Sequence, residues 1–89
     1  MRKLSQADLD LISWTHDAID SRQAIELRER SRLTQGTIAA SLGITASAIS
    51  HWEARRRRPD AKRALAYGRV LAHLHDRHPI GPGPGAPAA

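Results

Sequence analysis

Arg55, Arg56, Arg57 and Arg58 set four guanidinium groups in succession within an 89-residue chain. Each is a permanent cation whose planar fork of donors fits phosphate and carboxylate oxygens, so the run suits a polyanionic surface. Just upstream, Thr45, Ala46, Ser47, Ser50 and His51 are small or polar and fall mostly on other sides of a helix from Ile49 and Trp52, which are one turn apart. Hydroxyls and an imidazole on such a face can hydrogen-bond base edges, and Ala46 and Ala48 can at most touch a thymine methyl. Long amides and arginines are missing from this face. Phosphate contacts and DNA shape are therefore expected to carry more of any selectivity than direct base readout.

Those side chains need a scaffold. Thr34 is a good N-cap for a helix over residues 35–42, in which Ile38, Ala39 and Leu42 face inward. Gly43 follows the last apolar residue, where a left-handed C-cap costs glycine no Cβ clash. Thr45 caps the next helix, through Ala48, Ile49, Trp52 and Glu53. Two short helices about a glycine turn, the second polar on one face and followed by arginines, are the parts of a DNA-binding helix-turn-helix. The first would brace against the phosphate backbone and the second would present its amino-terminal half to the major groove. Ile49 and Trp52 would hold the pair to the domain, and Trp52 reads as core rather than as a base-stacking residue.

Around this motif, Ser5 with Asp8 resembles a capping box, and Leu4, Ala7, Leu11, Trp14 and Ala18 recur at steps of three and four. They predict an amphipathic helix over residues 5–20, with Leu4, Leu11 and Trp14 buried against another helix or a second subunit. Asp20 or Ser21 is expected to cap a new start, with Gln23 returning a bond to Asp20. Ala24, Ile25 and Leu27 give the next short helix one buried stripe. Arg55 to Arg58 read as loop or frayed helix before Pro59, and Pro59 or Asp60 opens a last helix carrying Ala64, Leu65, Leu71 and Leu74. Gly68 weakens it by about 1 kcal/mol relative to alanine, which close packing of another helix would justify. From His78, "HPIGPGPGAPAA" has one large apolar residue, Ile80, and reads as a disordered tail. The expected division is an amino-terminal helix over 1–20, a DNA-binding domain over 21–77 and a tail over 78–89.

Composition narrows the function classes. The length supports one small core. The net charge is +5, but residues 1–20 set Arg2 and Lys3 against Asp8, Asp10, Asp17 and Asp20, a net −2, so residues 21–89 carry +7. The absence of cysteine excludes disulfides and thiolate metal sites and fits a reducing cytoplasm. No apolar run reaches the roughly 20 residues of a membrane span, and the start lacks a secretory pattern. His73, His75 and His78 do not share a helical face, so they read as surface histidines and no metal is expected. No nucleophile elbow or paired catalytic carboxylates accompany the serines and histidines, so no enzyme, cofactor or small-molecule ligand is expected.

The motif resembles the Cro and phage-repressor-like (XRE) helix-turn-helix family over roughly residues 22–72. Gln35, Ala39, Gly43, Ile44, Ile49, Trp52 and Glu53 match the family's pattern at its spacing, and "LRERSRLTQ" resembles its first helix and the approach to the motif. The resemblance implies an all-α, lambda-repressor-like domain, here of about five helices with an extra amino-terminal helix. It also implies that Arg28 pairs with Glu53 and lies near a phosphate, and that Thr34 and Gln35 meet phosphate at the start of the motif's first helix. Thr45, Ala46, Ser47, Ser50 and His51 would line the groove, and Arg55, Arg56, Arg57 and Arg58 would grip the adjacent backbone. Arg32 and Arg55 stand where the family commonly has glycine, which leaves the local turns open.

The expected function is a sequence-selective double-stranded DNA-binding regulator of transcription, a small phage- or plasmid-type repressor, with a homodimer possible. Two other classes stay open: an antitoxin-like protein-interaction subunit with secondary DNA binding, and an architectural or recombination accessory protein that bends DNA.

Overall fold

The computed structural model describes residues 3–85. Among them the chain forms α1 (Gln6–Asp20), α2 (Gln23–Arg30), α3 (Gln35–Leu42), α4 (Ala46–Glu53) and α5 (Ala61–Arg77), with no strand. The all-α, five-helix expectation holds. The starts follow local chemistry: Ser5 and Asp8 form the capping box of α1, and Thr34, Thr45 and Asp60 accept from the amides of Thr37, Ala48 and Arg63. Asp60, rather than Pro59, is the cap of α5.

The start of α2 corrects the sequence reading. The cap residue is neither Asp20 nor Ser21 but Arg22, in the left-handed conformation (φ 67°) and with no side-chain cap bond of its own, while Ser21 Oγ accepts from the Gln23 amide at 3.4 Å. The Gln23 side chain does not return to Asp20 either, since its amide is drawn to Ile80 and Pro82. A long-range partner outcompetes the local one.

Arg32 and Arg55 resolve the two open turns. Both are left-handed (φ 58° and 61°), like Gly43 at 69°. In each case the following amide closes back on the helix, Leu33 to the Arg28 carbonyl at 3.1 Å, Ile44 to Ala39 at 3.0 Å and Arg56 to His51 at 2.9 Å. Two arginines thus make the turn that Gly43 makes, at the steric cost of a Cβ in that region.

The core joins all five helices through Trp14, Ala18 and Ile19 of α1, Ala24 and Leu27 of α2, Ile38 and Ala39 of α3, Ile49 and Trp52 of α4, and Tyr67, Leu71 and Leu74 of α5. Helix α1 packs chiefly along α5. Gly68 makes this possible: a Cβ there would lie 2.2 Å from Thr15 Oγ1 and 3.0 Å from Leu11 Cγ. Trp14 is buried as expected and Leu11 is half-buried, but Leu4 is 43% exposed and Leu9 49%. The predicted stripe runs too far toward the amino terminus: Leu4 precedes the first residue of α1, and in the first turn α5 meets Asp8 instead, with Arg69 Nη2 3.8 Å from Asp8 Oδ1.

Residues 79–85 hold no helix or strand, in keeping with their composition, and residues 86–89 lie outside the described residues. The first part of this segment is nevertheless seated. Trp14 Nε1 donates to the Pro82 carbonyl at 2.8 Å, Gln23 Nε2 donates to the carbonyls of Ile80 and Pro82, and Ile80 packs against the core. His75, read as a plain surface histidine, meets Trp14 edge to face at 6.1 Å, and its Nε2 lies 3.1 Å from the Gly81 carbonyl.

Candidate nucleic-acid interface

The motif is tied together from inside. Arg28 Nε and Nη2 bind the two carboxylate oxygens of Glu53 at 2.7 and 3.0 Å, and Nη1 donates to the Leu33 carbonyl at 3.1 Å. Gln35 Nε2 donates to Glu53 Oε1 at 2.9 Å. Glu53 therefore gathers α2, α3 and α4 around one buried carboxylate. The hydrogen bond to Glu53 raises the Arg28 pKa above its ordinary value, with burial opposing it. Beside the network, the Trp52 ring lies 5.2 Å from that of Tyr67, which is fully buried. Desolvation, reinforced by Glu53, pushes the Tyr67 phenol far above its usual value, so it stays neutral.

This network spends side chains that the resemblance assigned to phosphate. Arg28 has 15% of its side chain exposed, and Gln35 is half-buried with its amide committed. What α3 offers outward at this point is Thr34, exposed at the cap, and the first amides of the helix, which have no acceptor within it, the Thr37 amide being taken by Thr34 Oγ1. Ala39, Ile49, Trp52 and Glu53 are buried, Ile44 is half-buried and Gly43 is exposed.

Outside the core, Thr45 at the cap of α4 and Ser47 and His51 within it share a shallow concavity with Arg57, Arg58 and Arg63. Tertiary structure thus brings the polar face of α4 to the arginine run. Thr45, Ala46 and Ser47 are exposed, and Ser50 and His51 are partly so. Ala46, Ser50, Arg55 and Arg56 do not line the concavity.

The four arginines differ among themselves. Arg55, Arg56 and Arg57 are exposed, and among the described residues none has a carboxylate at ion-pair distance. Arg58 does: its Nη2 lies 2.6 Å from Asp20 Oδ1 at the end of α1, and its Nη1 lies 3.4 Å from His16 Nδ1. Arg58 is thus the member of the run that α1 reaches, across 38 positions of sequence.

Arg63 escaped the sequence reading. It sits in the first turn of α5, and its Nη1 is 2.8 Å from Asp60 Oδ2. The cap at Asp60 was legible and fixes where the first turn of α5 points; that this turn lies beside His51 was not. The Arg63 amide, and to a lesser extent its guanidinium, hold the Asp60 carboxyl below its usual pKa, so the concavity keeps one carboxylate at its rim.

The arrangement is a polar helix face next to unneutralised guanidinium groups, braced by a buried ion pair. It can hydrogen-bond and attract a polyanion. Comparison with known families gives a match to one described as Helix-turn-helix over residues 25–72, from α2 into α5. No curated protein and no solved structure matches the chain.

Proposed function

The chain belongs to the XRE-type helix-turn-helix family of DNA-binding regulators, and from that membership we propose that it reads a specific double-stranded sequence and represses transcription by occluding a promoter. The observation that carries this is the concavity in which Thr45, Ser47 and His51 meet Arg57 and Arg63. Helix α4 enters the major groove with its amino-terminal half, Arg55, Arg56 and Arg57 follow the adjacent backbone, and Thr34 with the first amides of α3 meets phosphate across the groove. Base contact falls to short side chains, so selectivity leans on register and on DNA shape. Regulation comes from protein concentration or a partner rather than from a small molecule, and the site of action is the cytoplasm. Among the described residues, no helix is long and apolar enough to cross a membrane.

Selection from a random duplex library at near-physiological salt tests the reading. An enriched inverted repeat with half-sites about 34 Å apart would establish a sequence-reading dimer. Retention without enrichment would move the reading to an architectural protein, and no retention would overturn it. Ser47→Gln is expected to change which sequence is enriched, because a long amide can address adenine where serine cannot reach both of its edge groups. A second reading, a protein-interaction subunit, draws on Leu4 and Leu9, which α1 leaves exposed. A stable partner recovered together with weak DNA affinity would favour it.

A further inference from the structure

Helix α1 precedes the residues that match the family, yet its last residue reaches the DNA-facing strip. The contact is the Asp20–Arg58 pair, 2.6 Å between Asp20 Oδ1 and Arg58 Nη2, with His16 Nδ1 3.4 Å from Nη1. About half of each charged side chain is open to solvent, at 51% for Arg58 and 47% for Asp20. A competing anion therefore has access to the pair.

Asp20 is poorly placed for the helix that carries it. A carboxylate at a helix C-terminus faces the negative end of the macrodipole, and the last turn of α1 has no basic residue. Its favourable contact is with the strip instead. A carboxylate and a phosphodiester offer a guanidinium the same paired acceptor oxygens, so one arginine cannot serve both fully at once. Arg58 also lines the concavity, together with Thr45, Ser47, His51 and Arg57.

We propose that Asp20 is an internal stand-in for a DNA phosphate, an electrostatic brake that occupies Arg58 in the free protein and is displaced when the duplex binds. The proposal rests on the DNA-binding reading above. It gives α1 a role that packing does not require. Binding by the wild-type chain must break a local ion pair and bring Asp20 close to the duplex, which lowers affinity for every sequence and raises the relative weight of the contacts made by α4.

The test is fluorescence anisotropy of the full chain on its selected duplex, titrated with salt, for the wild type, Asp20→Asn, Arg58→Ala, the double variant and Asp17→Asn. Asp17 is exposed on the same turn, so its replacement makes the same change in net charge away from Arg58. Asp20→Asn is expected to tighten binding roughly 2- to 5-fold, the scale of an exposed ion pair, and to steepen the log–log salt dependence by up to about 0.9. Asp17→Asn is expected to do less, and Arg58→Ala to abolish the gain from Asp20→Asn in the double variant. Unchanged or weaker binding by Asp20→Asn, or an equal gain from Asp17→Asn, would overturn the brake while leaving the DNA-binding reading intact. Failure of the wild type to bind any duplex would overturn both. Thermal unfolding of each variant identifies any change in affinity that comes from loss of α1 packing.

Discussion

Arg28, in α2, and Arg57, in the strip joining α4 to α5, carry the same charge in different surroundings. Arg28 is half-buried and spends its guanidinium on Glu53 and the Leu33 carbonyl. Arg57 is exposed and has no carboxylate at ion-pair distance among the described residues. Low dielectric makes the first arginine part of the architecture, because its charge cannot be stranded there cheaply. Water around the second makes its charge nearly neutral for folding but leaves it available to a ligand. The difference shows how one residue type can either brace the motif or stay open to a polyanion, with burial deciding which.

The sharpest way to break this contrast is Glu53→Ala. It strands Arg28 and Gln35 together and is expected to cost about 3 kcal/mol in urea unfolding. A loss below about 1 kcal/mol would mean that the buried pair does not hold the motif. Gly68→Ala probes the seam between α1 and α5 at a point where close packing, rather than charge, brings the helices together. A Cβ 2.2 Å from Thr15 Oγ1 is expected to cost about 2 kcal/mol, although alanine favours the helix.

Arg55→Gly sharpens the comparison from the other side. Relief of the left-handed turn is expected to stabilise the fold by about 0.5–1 kcal/mol, while the lost cation flattens the salt dependence of DNA binding. Gains in both stability and affinity would show that Arg55 serves neither. Last in its effect on stability, Arg57→Ala is expected to lie within about 0.5 kcal/mol of the wild type by urea unfolding. It should nevertheless weaken binding to all sequences and lower the log–log salt slope by about 0.9. An unchanged slope would remove Arg57 from the phosphate contacts.

Much of the fold was legible because its signals are local. Ser5, Thr34, Thr45 and Asp60 cap the helices they precede, since a side-chain oxygen needs only the amide three residues on. Gly43 turns left-handed for want of a Cβ. The misreadings arose where a distant partner intervened. Gln23 stands where it could serve a local cap, but the carbonyls of Ile80 and Pro82 take its side-chain amide. Leu4 continues the apolar rhythm of α1 past the start of the helix at Gln6, where it is exposed. Arg32 and Arg55 show a related effect: the closure of each turn holds an arginine where local preference favours glycine.

By itself the sequence determined five helices, the turn at Gly43, the basic balance of its later part and the apolar stripes that must be covered. Each follows from interactions spanning at most a few residues, or from composition. Tertiary structure decided which of those charges remain available. It buried Glu53 under Arg28 and Gln35, aligned Arg63 with the face of α4, and set Asp20 against Arg58. Those outcomes depend on how helices cross and what they desolvate, and the interaction energy of a charge changes many-fold with the dielectric that burial imposes.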